Sequence, residues 1–190
     1  MMAAALTDFL LAVAAFGVAA GPGRLVPALQ LGAMLMAIAA LVGAVTYAGV
    51  MPLFGLHDAL SLIATVSGLP MLALGLIWPQ SPLAHRAPLA WGLALVASAL
   101  GLAVVGLHGP KALIEAVAVL AMLAILLAGA LRLDRPRQMV GLFLLLAAAS
   151  FRVGIHIGAN VPPLAFLHGF LAIGFITILR FVSIVPPQAP

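Results

Sequence analysis

Charge is what this 190-residue chain has least of. It holds 8 Lys and Arg and 4 Asp and Glu, together 6% of its residues. A water-soluble domain carries roughly 25% charged residues, so this chain lacks the means to cover a water-facing surface. A soluble enzyme, a nucleic-acid binder and a disordered tail are excluded at that step. Cysteine is absent, which removes disulfides, thiolate metal sites and Cys nucleophiles. Also missing are a phosphate-binding Gly/Lys loop, a dinucleotide fingerprint, a GxSxG elbow and the HExxH, HxH or HxxxH spacings of metal-binding helices.

What is present is apolar: 66% of the residues are hydrophobic and the mean hydropathy is +1.33. Apolar runs fall at about 5–20, 27–51, 57–78, 88–107, 111–131, 138–158 and 163–184, each near the roughly 20 residues that carry a helix across a bilayer. Between them lie Gly21-Pro22-Gly23, Pro52, Pro79 with Pro82, Gly109-Pro110, Arg135-Pro136-Arg137 and Pro162-Pro163, the strongest turn punctuation a sequence offers. Backbone groups in lipid must be satisfied internally, and these runs are far longer than barrel strands. The reading is an all-α, polytopic membrane protein of seven transmembrane helices, six if the short first run fails, forming one domain over 1–190. The opening Met1-Met2-Ala3-Ala4-Ala5-Leu6-Thr7-Asp8 is acidic where a secretory leader would be basic, so it is read as helix one.

The few charges describe topology. With the N-terminal side labelled A, seven spans place Arg24, Arg86, Arg132, Arg135, Arg137 and Arg180 on the opposite side, B, and only Lys111 and Arg152 on side A. Short loops rich in Lys and Arg mark the cytoplasmic face. The expected orientation is N-terminus outside and C-terminus cytoplasmic, in a bacterial-type inner membrane. Trp78 and Trp91 fall at the B ends of helices three and four, as interfacial anchors do.

The remaining ionisable residues gather at side A. Asp8, His57, Asp58, His108, Glu115, Arg152, His156 and His168 all fall at or just inside it, leaving Asp134 and His85 on side B. Ionisable groups in membrane segments are costly and face the bundle interior or a wet cavity. A set confined to one end points to a site open to the outer face, not to a through-pore. Odd-numbered helices begin with related words, Leu6-Thr7-Asp8, Leu56-His57-Asp58, Leu107-His108-Gly109 and Leu167-His168-Gly169, which set three imidazoles at equivalent depth. On helix three, His57, Ser61 and Thr65 make a stripe on one face; on helix six, Arg152 and His156 share a face.

Three imidazoles with a carboxylate suffice for zinc or another divalent metal with an open position, whose bound water becomes a nucleophile near neutral pH. In this reading His57, His108 and His168 are ligands, Asp58 or Glu115 transfers protons, and Arg152 stabilises an anion or oxyanion, with Asp8 and His156 completing the polar site. The reaction would be hydrolysis of a lipid-like substrate. The alternative is a non-catalytic subunit of a larger membrane complex, with one b-type haem held between two of the histidines.

In layout, and in Thr7-Asp8, His57 and His168, the chain resembles the alkaline-ceramidase-type superfamily of seven-helix membrane hydrolases, and related bacterial membrane proteins. The resemblance implies lipid amide hydrolysis at a zinc site, with His57 and His168 as ligands and Asp8 or Asp58 as the acid/base partner. Two family positions differ: the residue four after His168 is Ala172, and the residue four before His57 is Leu53.

Overall fold

The computed structural model describes residues 2–153 and 163–182, with side chains from 151 to 153 outside the description. Among the described residues the chain is helical, with no strand. Seven long helices follow one another: α1 (Met2–Ala20), α2 (Pro27–Tyr47), α3 (Phe54–Ile77), α4 (Ala87–Gly106), α5 (Lys111–Leu131), α6 (Arg135–Val153) and α7 (Pro163–Phe181). A 3-10 turn, Pro22–Leu25, follows α1, and a single helical turn, Pro82–His85, precedes α4. All of the seven long helices except α6 are long and apolar enough to cross a membrane. The described part of α6 opens with Arg135-Pro136-Arg137-Gln138, and the rest of its expected span lies outside the described residues.

Turn chemistry ends the helices close to the expected punctuation. Gly49, at φ +76°, follows α2; the Val50 N–H reaches the Val45 carbonyl and the Gly49 N–H that of Thr46, the paired bonds of a left-handed helix cap. The same pairs of bonds close α4 around His108 and α5 around Leu133, although neither is glycine and both hold positive φ, +56° and +55°. α2 therefore ends four residues before the apolar run does.

α3 is built of two α-helical pieces, Phe54–Ile63 and Leu69–Ile77, joined by a π-helical segment, Ala64–Gly68. The cause is Pro70, which has no N–H and whose ring crowds the carbonyl four residues back. The helix widens just ahead of it, and the Leu69 N–H donates to Ala64, five residues back. Ser67 in this segment donates to the Ala94 carbonyl of α4 at 2.8 Å, tying the two helices together.

Six helices form a closed ring in which α1 packs on α2, α2 on α3, α3 on α5, α5 on α6, α6 on α7 and α7 back on α1. α4 stands outside the ring against α2 and α3, and buries only Ala90, Ala94 and Gly101. The α2–α3 crossing is close because Gly32 has no side chain: a Cβ there would lie 2.6 Å from the Gly68 carbonyl oxygen and 2.7 Å from the Leu72 nitrogen. In bilayers such backbone proximity replaces the hydrophobic drive that joins helices in water. On side B, the Arg132 guanidinium donates to the Ile77 carbonyl at 2.7 Å and Arg137 Nε to Leu76 at 2.9 Å. These bonds satisfy last-turn carbonyls of α3 that a helix end leaves without partners. Arg137 is also ion-paired with Asp134.

Candidate functional site

At the side A end of the ring lies a cavity of about 240 Å³. Asp8 of α1, His57, Ser61 and Thr65 of α3, Glu115 of α5 and His168 of α7 line it. α2 and α6 contribute apolar wall, through Met36, Ala39 and Ala40 and through Ala148. Every helix of the ring reaches the cavity and α4 does not.

Helical periodicity explains each placement. On α1 the buried stripe runs Asp8, Leu11, Ala12 and Ala15, so Asp8 occupies a core position in an apolar series. On α7, His168 sits among Ala165, Leu171, Ala172 and Phe175 at the same spacing. On α3 the stripe His57, Ser61 and Thr65 faces the cavity as expected. Asp58 is one residue on, about 100° around the helix, and is exposed.

Asp8 is fully buried, at 0% exposure, and touches His168 Nδ1 through Oδ1. Apart from that contact, neither Asp8 oxygen has a hydrogen-bond partner among the described residues. His57, also buried, directs Nδ1 to the Ala39 carbonyl at 3.3 Å. A carbonyl accepts only, so the His57 proton sits on Nδ1. With a carboxylate against Nδ1 of His168 the same placement of a proton on Nδ1 is favoured, and in a neutral ring so held Nε2 is the acceptor. A second-shell acceptor on Nδ1 commonly orients an imidazole whose Nε2 takes a proton or a metal.

Asp8 and His57 approach one another across Gly43 of α2. A Cβ on Gly43 would overlap Asp8 Oδ2 and lie 2.7 Å from His57 Cε1 and 3.0 Å from its Nδ1. Only glycine fits here. Gly43 is a site residue that polarity does not flag; the sequence signal is a glycine near the end of α2, at the depth of the polar set. Tyr47, one helical turn later, stands edge-on to the His57 ring with centroids 5.3 Å apart.

The expected set therefore divides. Asp8, His57, Glu115 and His168 line one cavity. His108 is exposed in the cap that ends α4 and does not line it, and among the described residues no three His, Asp or Glu side chains are grouped as metal ligands. The Arg152 side chain and His156 lie outside the described residues. Met36 and Met122 are both cavity wall. Compared with known protein families, with characterised proteins and with solved structures, the chain matches none.

Proposed function

We propose that this is a multi-pass inner-membrane protein of seven spans, with its N-terminus outside, whose cavity binds and hydrolyses a lipid-like molecule near the outer leaflet. The observation that carries this reading is Asp8: a carboxylate at 0% exposure, in contact with His168, at the edge of a cavity otherwise walled mainly by Leu, Met and Ala side chains. Burying a carboxylate costs several kcal/mol unless it is paired, and one without a second partner is a candidate for function. An apolar cavity with a few convergent polar groups suits an amphipathic ligand.

In the reaction, Asp8 holds His168 in the tautomer with the proton on Nδ1; Nε2 takes a proton from the water attacking the acyl carbonyl and returns it to the leaving oxygen or nitrogen as the acyl C–O or C–N bond breaks, the division of labour of an oriented general base. His57, held at Nδ1 by Ala39, supplies a second Nε2 acceptor. Glu115 is the further proton-transfer group. The same two Nε2 atoms are those a divalent metal would take; of the three imidazoles expected as ligands, His57 and His168 line the cavity.

The test is to incubate the purified full chain, in vesicles, with a total lipid extract from a bacterial membrane and follow each lipid class by mass spectrometry. One class is expected to be cleaved, with cleavage lost in Asp8→Asn and His168→Gln. A folded protein that leaves every lipid intact overturns hydrolysis. The same sample, assayed for bound metal, separates the metal-assisted form of the reaction from the metal-free one.

A second reading, a subunit of a larger membrane complex, is supported by α4, in which only 17% of the spanning window is buried. Purification in mild detergent would then yield stoichiometric partners; a partner-free monomer counts against it.

A further inference from the structure

The ring of helices is not equally closed along its length. The second piece of α3, Leu69–Ile77, and the π segment both pack on α5. The first piece, Phe54–Ile63, packs instead on α2 and α4. From the π segment toward side A, α3 and α5 therefore part company. α4 does not bridge them, since its packing partners are α2 and α3. The cavity lies behind this divergence. Ser61 and Thr65 on one edge, and Glu115 and Val119 on the other, are cavity wall and are at the same time partly exposed. Val119 is 37% exposed.

Both edges belong to helices that are long and apolar enough to cross a membrane. Placed in a bilayer, an opening between them among the described residues would face hydrocarbon. We infer that the ligand of the cavity is an acyl-chain lipid that passes sideways from the bilayer through the gap between the first halves of α3 and α5. This rests on the reading above that the cavity holds a lipid-like molecule. It adds that the ligand is already dissolved in the membrane and does not arrive from the aqueous phase. The apolar wall beyond the gap, Met36, Leu69 and Met122 among it, receives the chain. The hydroxyls of Ser61 and Thr65 and the Glu115 carboxylate give the polar head a path along one side of the opening. The π segment, a feature that recurs at functional sites, is where the closed part of the seam ends.

Because the chain has no cysteine, the gap can be blocked at one atom and reopened. Val119→Cys is placed in phosphatidylethanolamine/phosphatidylglycerol vesicles that contain a phospholipid with a diazirine at its chain end. Adducts formed on irradiation are mapped by mass spectrometry before and after a bulky methanethiosulfonate is attached, and again after it is reduced off. Adducts are expected on Met36, Leu69 and Met122, to be lost when the thiol is capped and to return on reduction. Recovery in the same molecules separates blockage from misfolding. Leu120→Cys, 65% exposed and not part of the cavity wall, is expected to keep its cavity adducts whether capped or free. Cavity adducts that persist with Val119→Cys capped overturn the lateral route and leave the lipid-binding reading standing. If the uncapped protein labels only on its outer surface, both fall.

Discussion

Asp8 on α1 and His168 on α7 meet inside the ring, joining the first and last of the long helices. Each is costly to bury without the other: an uncompensated buried charge left by removing one partner costs about 3–5 kcal/mol. Asp8→Ala and His168→Ala are each expected to destabilise by roughly that range, while the double variant costs clearly less than the sum of the two. Thermal unfolding of the four proteins in one detergent closes the cycle. Strictly additive effects would show that the two side chains do not depend on one another.

Gly43 is the least conspicuous residue of the site and among the least replaceable. A methyl group there must displace the Asp8 carboxylate and the His57 ring together, and both are confined by neighbouring helices. Overpacking of this kind costs typically about 1–3 kcal/mol. Gly43→Ala is expected to lower the unfolding temperature and to abolish lipid turnover with every ionisable residue intact. Gly92→Ala is the comparison: nothing lies within 4 Å of its Cβ position, so it is expected to be neutral in both assays. Retention of full turnover by Gly43→Ala would show that the positions of Asp8 and His57 against α2 are not needed for the reaction.

Much of this was readable in advance, because in a chain so poor in charge each polar residue in a span is informative. Pro and Gly delimited the helices, and the shared depth of Asp8, His57, Glu115 and His168 anticipated that they line one cavity. The stripe of His57, Ser61 and Thr65 followed from the helical repeat alone. Three things did not follow. His108 shares its local word with His57 and His168, but the word does not reveal that the residue turns into a left-handed cap. Asp58 and His57 are sequence neighbours that the helix sends to different faces. The position of α4 outside the ring is invisible because α4 is as apolar as α1, α2 and α3, so composition cannot separate lipid-facing surface from helix-facing surface.

His108 yields a prediction that distinguishes a cap from a ligand. A residue with a Cβ in the left-handed region costs roughly 1–2 kcal/mol that glycine avoids. His108→Gly is therefore expected to raise the unfolding temperature modestly and to leave any bound metal and any lipid turnover at parent levels. His168→Gly, inside a helix and inside the site, is expected to lower both. A loss of metal in His108→Gly would return this imidazole to the ligand set.

The side B clamp on α3 makes a separate claim about stability. Arg132 and Arg137 donate to the carbonyls of Ile77 and Leu76, and hydrogen bonds from charged groups contribute about 1.5–3 kcal/mol each. Both arginines also complement the negative end of the α3 dipole. Arg137→Gln is expected to destabilise by about 1–3 kcal/mol, more than Arg24→Gln, whose side chain is exposed. Lipid turnover measured well below the unfolding temperature should be unchanged, because the clamp and the cavity occupy opposite ends of the ring. A fall in turnover without a fall in stability would instead couple the two ends.

The same arginines bear on topology. Arg24, Arg86, Arg132, Arg135, Arg137 and Arg180 stand at the B ends of the helices, whereas Lys111 begins α5 at side A. Basic residues in short loops are held on the cytoplasmic side during insertion, so side B is expected to face the cytoplasm and the cavity the outer leaflet. Seven spans, as proposed, would put the start of α1 and the end of α7 on opposite sides. A reporter that folds only outside the inner membrane is expected to be active when fused after residue 50 or 109 and inactive after residue 80, 134 or 190. The fusions after 134 and 190 carry the most weight. Between them lie α6, with its arginine-rich start, and α7. If α6 failed to cross while α7 did, the fusion after 134 would be inactive and the one after 190 active. That pattern would place His168 at the opposite membrane face from Asp8, which their contact forbids. With both residues buried together near one membrane face, an even number of crossings is expected between residue 134 and the C-terminal end of α7.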